Sequence, residues 1–266
     1  MTLNLFDERA LLFLPASNPR AIARALASDA DLVILDLEDA VKPRDKLSAR
    51  SAAVEAVAEH WPMPVAIRIN GTASEWHDGD LAAVADSRAD LVIVPRVSAP
   101  SEMEAVARAV SRPVAAMIET AAGVLAAAPI AQVSDALIAG TNDLSADLKL
   151  PSGAGRGPLQ AALQHILIAA RAAGIAAFDG VYNRLDDVAG LAAECAETRL
   201  LGFDGKSLIH PDQIAACHAA FAPSEGELTR AARLVVAATG GAERFEGAMI
   251  ETMHVDAARR LLSRNC

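Results

Sequence analysis

The segment LVILDLEDAV, residues 32–41, is a short apolar run that ends in three carboxylates within four positions. The apolar run predicts a buried strand. Side chains alternate along a strand, so Asp36 and Glu38 are expected on the same face as Ile34. Charged groups are costly to bury without partners. Concentrated negative charge at the end of this strand therefore indicates a site with a chemical role.

Seven further apolar runs follow or precede this one, and amphipathic helical stretches separate them. The stretches PRAIARALAS and SEMEAVARAV, for example, place aliphatic residues at three- and four-residue spacing between charges. Eight strand–helix units in roughly 220 residues predict a (β/α)8 TIM barrel rather than an open sheet. The predicted strands are LLFLPAS (11–17), LVILDLED (32–39), VAIRING (65–71), LVIVPRVS (91–98), VAAMIET (114–120), DALIAGTNDL (135–144), AAFDGVY (176–182) and GFDGKSLIH (202–210).

The C-terminal part of the chain has a different pattern. Strand signals stop after Pro223, and residues 224–264 have the pattern of helices joined by the glycine-containing stretch ATGGAERFEGAMIET. We therefore predict a catalytic barrel domain over residues 1–222 and a C-terminal helical arm over residues 223–266. An arm of this size is expected either to pack on its own barrel or to reach a neighbouring subunit.

Composition narrows the class of protein. The 266 residues are 53% hydrophobic but only 3% aromatic, which predicts a core of small aliphatic side chains. The net charge of −10 argues against nucleic-acid binding, and no apolar run is long enough for a membrane span. The three cysteines suggest neither a disulfide framework nor a zinc site, and the N-terminus lacks a secretory pattern. We expect a cytoplasmic protein.

Polar residues follow several predicted strands, and barrels of this kind place their active sites at the C-terminal strand ends. Glu119 ends the fifth strand and Asp143 the sixth, and carboxylate oxygens of this kind suit Mg²⁺. Arg68 ends the third strand, and its planar fork suits a substrate carboxylate or an enolate oxygen. It equally suits a structural ion pair with Asp36, so both interpretations stay open.

Other motifs give weaker signals. Lys206, in GFDGKSLIH, suits either a phosphate or an acidic residue of the barrel rim. The stretches AGTND (139–143) and GAGRG (153–157) lack the spacing of a P-loop or a dinucleotide fingerprint. A nucleotide-hydrolysing enzyme is therefore disfavoured.

Seven motifs occur one after another along nearly the whole chain: LFLPAS (12–17), DLVILDLEDAVKPRDK (31–46), IRING (67–71), MIET (117–120), AGTNDLSADL (139–148), FDGVY (178–182) and GFDGKSLIHPDQI (202–214). Together they resemble the citrate lyase beta-subunit-like proteins, which are relatives of malyl-CoA and citramalyl-CoA lyases in the hydroxy-oxo-acid aldolase superfamily. In this order and spacing the motifs are highly specific.

The resemblance implies roles for the acidic strand ends. Glu119 and Asp143 are the expected Mg²⁺ ligands. Arg68 is expected to bind the oxo-acid or its carboxylate, while Asp36 and Glu38 order the metal-bound waters.

Two further roles follow from the same resemblance. The backbone around Gly140, Thr141 and Asn142 is expected to hold the small acid against the metal. The segment EGAMIETMHVDAARRLL resembles the family's DGKMID stretch and places Glu251 where the family has an aspartate that transfers a proton, often from an adjacent subunit. Glutamate keeps the charge but is longer by one methylene, so this substitution bears directly on lyase activity.

The implied reaction is Mg²⁺-dependent cleavage of a 3-hydroxyacyl-CoA, of the malyl-, citramalyl- or citryl-CoA type, into an acyl-CoA and an oxo-acid. The expected assembly is a homo-oligomer, a trimer or hexamer. Four other interpretations stay open: thioesterase action on a similar ester, a metal-dependent aldolase for free oxo-acids, a citryl thioester lyase subunit that needs a carrier-protein complex, and a binding protein without turnover. The aldolase lacks support because no histidine stands beside the strand-two acids.

Overall fold

Eight parallel strands form a closed barrel in the computed structural model, which describes residues 3–263. Each strand pairs with the next along the chain, and β8 pairs with β1 to close the barrel. The prediction of a TIM barrel is confirmed. The strands are β1 Ala10–Pro15, β2 Leu32–Asp36, β3 Val65–Arg68, β4 Leu91–Val94, β5 Val114–Ile118, β6 Ala136–Ala139, β7 Ala176–Asp179 and β8 Gly205–Leu208.

Helices alternate with these strands along the chain. No helix within residues 3–263 is long and apolar enough to cross a lipid bilayer. The helices up to residue 221 are α1 Pro19–Leu26, α2 Lys46–Ala58, α3 His77–Ala85, α4 Pro100–Ala109, α5 Ala121–Leu125, α6 Ala127–Ala131, α7 Thr141–Asp147, α8 Gln160–Ala173, α9 Val188–Leu201 and α10 Ile214–Phe221.

Strand alternation divides the hydrophobic core into two layers. Val33 and Leu35 belong to the layer between strands and helices, whereas Leu32 and Ile34 belong to the layer inside the barrel. Asp36 continues the inner series and lines the cavity at the barrel mouth. The parity argument therefore gives the correct face for Asp36, whereas Glu38 lies beyond the end of β2 and lines a second cavity.

Several strands end earlier than their apolar patterns suggest. The sixth strand ends at Ala139, and Gly140 is the N-cap of α7, which begins at Thr141. Asp143 therefore lies in the first turn of α7. The prediction that Asp143 ends the sixth strand is wrong. The polar residues after Gly140 favour a helix start over a buried strand, because an acidic side chain is stabilised near a helix N-terminus.

The chain divides into two compact units between Phe221 and Ala222. The second unit contains α11 (Glu225–Ala237), a two-stranded antiparallel sheet of β9 (Glu243–Phe245) and β10 (Ala248–Ile250), and α12 (Thr252–Ser263). The prediction that strand structure stops after Pro223 is therefore wrong.

The hairpin was missed because its strands are only three residues long, and the apolar β10 (AMI) is too short to be recognised as a strand while β9 (ERF) is mostly charged. Its two-residue loop, Glu246 and Gly247, has φ values of 48° and 85°. Two successive positive φ values are typical of the type I′ turn, whose usual sequence signals are Asn-Gly and Asp-Gly. A Glu-Gly loop is a weaker signal.

An ion pair at the N-terminal side of β2 predicts a pH-dependent stability. His218 Nε2 on α10 lies 2.9 Å from Asp31 Oδ2. The hydrogen bond to Asp31 raises the pKa of His218 above its ordinary 6.5. Burial opposes ionisation of Asp31, yet hydrogen bonds from His218 and from the N–H groups of Ala10 and Arg9 lower its pKa below the ordinary 3.8. The pair therefore contributes most between these two ordinary values.

We expect His218→Gln to lower the free energy of unfolding by up to about 1 kcal/mol at pH 5.5, the upper range for partly exposed pairs. The loss should shrink at pH 8.5, because a raised histidine pKa contributes stability that disappears as pH rises through it. Urea unfolding at both pH values measures this difference. His165→Gln, at an exposed position of α8, is the control, and an equal loss at both pH values would contradict the assignment.

Candidate active site

A cavity of about 430 Å³ lies at the C-terminal ends of the barrel strands. Its lining brings together residues from β2, β3, β5 and the β6–α7 junction. Seven of the residues singled out from the sequence line it: Asp36, Arg68, Glu119, Gly140, Thr141, Asn142 and Asp143.

Arg68 and Asp36 form a buried two-point ion pair at the cavity wall. Arg68 Nε donates to Asp36 Oδ1 at 2.6 Å, and Nη2 donates to Oδ2 at 2.7 Å. The guanidinium also lies over the ring of Phe13, with its Cζ 5.2 Å from the ring centroid. Burial alone would lower the pKa of Arg68, but Asp36 raises it above its ordinary value, so the guanidinium stays charged. Arg68 is therefore oriented before any ligand arrives.

Asp36 has little capacity left for other partners. Its Oδ1 also accepts a hydrogen bond from the Glu38 N–H at 2.9 Å, and its Oδ2 accepts one from the Ala40 N–H at 3.0 Å. Lys46 fixes the same turn, because its Nζ donates to the carbonyls of Leu37 and Glu38 at 2.7 Å each. The motif LEDAVKPRDK thus builds a rigid turn that presents Glu38.

Glu38 carries a buried carboxylate oxygen without a directed hydrogen bond. Its Oε2 lies 2.8 Å from Arg68 Nη1 but has no hydrogen-bond partner among the described residues. Burial raises the pKa of Glu38 to about 8, although Arg68 acts in the opposite direction and Glu119 adds repulsion. The buried Glu38 carboxylate therefore lies directly beside the Arg68 guanidinium.

Glu119 lies just beyond β5 and is 1% exposed. Burial raises its pKa to about 7, against the opposing effect of Arg68 and with repulsion from Asp143. The backbone passes close to it at Gly140, where an added Cβ would overlap both Cβ and Oε2 of Glu119. The φ of Gly140 is −96°, a value that any residue can adopt, so backbone conformation does not require glycine here. The close approach of Glu119 does require it.

Gly140→Ala is expected to displace the Glu119 carboxylate. A displacement on the order of 1 Å can cost roughly 100-fold in rate at an active site. We expect a loss of this order in turnover, together with weaker cation binding measured by calorimetry. Gly157→Ala is the matched control, because a Cβ there meets no atom within 4 Å. Unchanged turnover in Gly140→Ala would show that the position of Glu119 is unimportant.

Asp143 is paired with a residue that the sequence reasoning passed over. Arg96 Nη1 lies 2.8 Å from Asp143 Oδ1, and the Arg96 N–H donates to Glu119 Oε1 at 2.6 Å. Arg96 follows β4 in the stretch LVIVPRVS, so the strand-end rule that selected Arg68 would also have found it.

Two inward-facing residues, Phe13 and Ser207, were also missed. Both line the central cavity, and the Ser207 hydroxyl is buried without a hydrogen-bond partner within residues 3–263. Alternation along β1 and β8 could have placed both inside the barrel. Their side chains carry no charge, so nothing in the sequence marked them as chemical.

The charges of the site fit a divalent cation. Asp36, Glu119 and Asp143 bring three carboxylates to the central cavity, and Glu38 lies behind Arg68 in the lining of a second cavity. The pKa values of Glu38 and Glu119 are raised to about 8 and 7 because burial is not fully offset by Arg68. Hard oxygen ligands favour Mg²⁺. Among residues 3–263, no group of three or more acidic, histidine or cysteine side chains is arranged to hold an ion. Two carboxylates, those of Glu119 and Asp143, could hold Mg²⁺ if waters or substrate completed its shell, the mode that this ion prefers.

Lys206 has a structural environment. It is fully buried, and its Nζ lies 3.1 Å from Asp179 Oδ2 and 2.7 Å from Glu194 Oε1. Of the two alternatives left open by the sequence, the structure favours pairing with an acid over binding a phosphate. Arg156, in the glycine-rich loop before α8, joins the same network through Asp179 at 2.7 Å.

Glu251 belongs to the second unit, directly after β10. Its backbone N–H donates to His254 Nδ1 at 2.9 Å, and its carbonyl accepts from the His254 N–H at the same distance. These bonds define the start of α12. The role of Glu251 in proton transfer stays a prediction.

Barrel and site together define a class: a TIM-barrel enzyme whose polar site lies at the C-terminal strand ends. The chain belongs to the HpcH/HpaI aldolase/citrate lyase family, whose sequence profile matches residues 9–211. The prediction of a citrate lyase beta-subunit-like protein, an enzyme of a lyase family, is confirmed.

Two curated relatives span nearly the whole chain. The (3S)-malyl-CoA thioesterase of Cereibacter sphaeroides (strain ATCC 17023) is 40% identical, over 96% of this chain and 94% of the relative. Citrate lyase subunit beta of Escherichia coli K12 is 33% identical, over 96% of this chain and 92% of the relative.

A solved structure extends the comparison to the fold. The crystal structure of the protein CitE from Mycobacterium tuberculosis, in complex with magnesium, acetoacetate and coenzyme A, has a TM-score of 0.87. It is 34% identical in sequence, and the match covers 97% of each chain.

Proposed function

We propose that this protein is an Mg²⁺-dependent carbon–carbon lyase that cleaves a 3-hydroxyacyl-CoA of the malyl-, citramalyl- or citryl-CoA type into an acyl-CoA and an oxo-acid. The observation that carries the proposal is the mouth of the barrel, where Glu119 and Asp143 lie beside the pre-oriented Arg68 guanidinium in one cavity. The relative crystallised with magnesium, acetoacetate and coenzyme A supports the same assignment.

Each residue of the site has a proposed role that its contacts support. Bound Mg²⁺ would polarise the substrate hydroxyl, whose oxygen becomes the oxo group of the released acid. Arg68 offers a fixed positive charge to the acid, and it keeps its orientation because Asp36 holds two of its nitrogens. Asp36 therefore acts through Arg68. Glu38, whose Oε2 lies 2.8 Å from Arg68 Nη1, is proposed to order a water.

The small acid is proposed to lie against the start of α7. Gly140, Thr141 and Asn142 line the cavity beside Glu119 and Asp143, so their backbone can hold a carboxylate or oxo group near both. Glu251 is proposed to protonate the departing thioester enolate in a homo-oligomer, a trimer or hexamer.

A narrow cleft gives a route for the coenzyme A arm. The cleft of about 120 Å³ shares Phe13, Leu14, Pro15 and Ile209 with the central cavity, and it also carries Arg24. An arginine in the cleft lining suits the phosphates of coenzyme A despite the acidic net charge of the protein. We therefore propose that the thioester reaches the cavity between β1 and β8.

One specific observation favours a second activity, hydrolysis of the thioester. The 40% identical relative is a (3S)-malyl-CoA thioesterase, so the same site is a candidate for releasing free coenzyme A and the hydroxy acid. The two activities make different products from one substrate.

Product identification by mass spectrometry tests the proposal. The purified protein is incubated with malyl-CoA, citramalyl-CoA or citryl-CoA, in Mg²⁺ or in EDTA. A lyase forms acetyl-CoA and an oxo-acid only with Mg²⁺, whereas a thioesterase forms free coenzyme A and the intact hydroxy acid. Absence of turnover with each substrate would contradict a self-sufficient enzyme, and adding a carrier protein and transferase subunit would then test the complex-dependent alternative.

A further inference from the structure

Arg96 is strained and touches both carboxylates proposed to hold the cation. It has a φ of 53°, in the left-handed region that side chains other than glycine rarely adopt. Strained backbone of this kind persists only where the surroundings impose it, and it is concentrated at functional sites. The structure shows what imposes it: the turned N–H of Arg96 donates to Glu119 Oε1 at 2.6 Å, and the next N–H, of Val97, donates to Met117 O at 3.2 Å.

The side chain of Arg96 makes the second contact. Its Nη1 lies 2.8 Å from Asp143 Oδ1, so the guanidinium occupies one carboxylate oxygen of the proposed cation site. This ion pair differs from that of Arg68 and Asp36 in its exposure. The Arg96 and Asp143 side chains are 51% and 29% exposed, whereas those of Arg68 and Asp36 are 9% and 1% exposed. Exposed pairs contribute little stability, so Asp143 can exchange its partner readily.

A displaced Arg96 side chain has space to move into. Arg96 lines a second cavity of about 680 Å³, which also includes Glu38, Thr120 and Asp147 in its lining. The arginine therefore stands between the proposed cation site and a neighbouring open space. Release from Asp143 needs no rearrangement of the barrel.

We propose that Arg96 is a positioning residue that competes with the cation for Asp143. Its backbone N–H orients Glu119, and its guanidinium neutralises Asp143 until a divalent cation takes that carboxylate. A positive charge so close lowers the affinity of the site for a cation alone. An oxo-acid carboxylate restores the missing negative charge. The cation therefore binds the protein–oxo-acid complex more tightly than the free protein, and the oxo-acid binds the protein–cation complex more tightly than the free protein. This inference rests on the proposed function, because it takes Glu119 and Asp143 as the cation ligands.

Titration with Mn²⁺, followed by loss of the free-ion signal in electron paramagnetic resonance, tests the proposal without any turnover. Arg96→Gln removes the charge and keeps the N–H to Glu119. Without oxo-acid, we expect Arg96→Gln to bind Mn²⁺ roughly tenfold more tightly than the wild type, because the variant lacks one positive charge near the cation. Saturating pyruvate should reduce the difference in Mn²⁺ affinity between Arg96→Gln and the wild type. Arg96→Lys, which keeps the charge, should stay close to the wild type.

Two further variants test whether the change in Mn²⁺ affinity is specific to the charge of Arg96. Arg108→Gln is the matched control, because it removes an exposed arginine, paired with Glu104 at 3.8 Å, from α4. It should leave Mn²⁺ affinity unchanged. Arg96→Gly keeps the N–H, removes the charge and relieves the strained φ, so it should show the same gain in affinity with a melting temperature at or above that of the wild type.

Unchanged or weaker Mn²⁺ binding in both Arg96→Gln and Arg96→Gly would overturn the proposal. A gain of the same size in Arg96→Lys would also overturn it, because competition by charge could not explain it. Glu119→Gln separates this failure from a failure of the proposed function. If Glu119→Gln binds Mn²⁺ like the wild type, the cation site itself is misassigned. If it abolishes binding while the Arg96 variants change nothing, only the role of Arg96 is wrong.

Discussion

Glu119→Gln is expected to lower Mg²⁺-dependent turnover by about 100-fold or more, since loss of mere supporting groups around a metal already costs 10–100-fold. The fold should be at least as stable as the wild type at pH 8 in EDTA. Burial raises the pKa of Glu119 to about 7, so its ionised form opposes folding above the ordinary value of 4.5. The neutral amide removes that cost and keeps an oxygen to accept the Arg96 N–H. Steady-state kinetics and urea unfolding measure the two effects.

This combination of lost activity and retained stability separates a functional from a structural role. Glu104→Gln, on the exposed side of α4, is the control and should change neither quantity. A strongly destabilised Glu119→Gln with normal residual turnover per folded molecule would show that Glu119 supports the barrel instead of binding a cation.

Arg68→Met is expected to have the opposite effect on stability. It leaves Asp36 and Glu38 buried without their cation, and breaking a buried ion pair in this way typically costs about 3–5 kcal/mol. Turnover should also fall by about 100-fold or more, the scale on which a lost charge donor acts in catalysis. Arg68→Lys keeps the charge but loses the two-point contact with Asp36, so we expect a smaller loss of stability and a similar loss of turnover.

Arg50→Met supplies the matched control for Arg68. Arg50 Nε pairs with Asp80 Oδ1 at 2.6 Å, and Asp80 is also buried, yet neither residue lines the central cavity. This variant should lose stability while its folded fraction retains full turnover. If Arg68→Lys also retained turnover, Arg68 would be only the structural counter-ion of Asp36, the alternative that the sequence left open.

The barrel could be predicted because its signal is repeated. Apolar runs such as residues 32–35 and 91–94 recur at each strand, and helical spacing recurs between them. The exact strand ends could not be predicted, because the apolar pattern does not show where the backbone turns. Gly140 is the clearest case: the turn into α7 depends on its contact with Glu119, which is 21 positions away along the chain.

The charged half of the candidate site could also be predicted. Asp36 was found from strand alternation, and Arg68 and Glu119 were found from their positions at strand ends, where barrels of this kind place their active sites. Arg96 was missed although it follows a strand, since its role depends on a positive φ that the sequence does not reveal. Ser207 was missed because a serine on an inner face is unremarkable until its hydroxyl is seen without a partner.

The central claim is that one site binds the cation and the oxo-acid together, with Glu119 and Asp143 on the cation and Arg68 on the acid. Calorimetric titration of pyruvate into the protein, in Mg²⁺ and in EDTA, tests it most directly. We predict saturable binding in Mg²⁺ that is lost in EDTA, and lost in Mg²⁺ when Glu119→Gln or Arg68→Lys replaces the wild type. Equal pyruvate affinity in EDTA and in Mg²⁺, unaffected by either variant, would contradict the account.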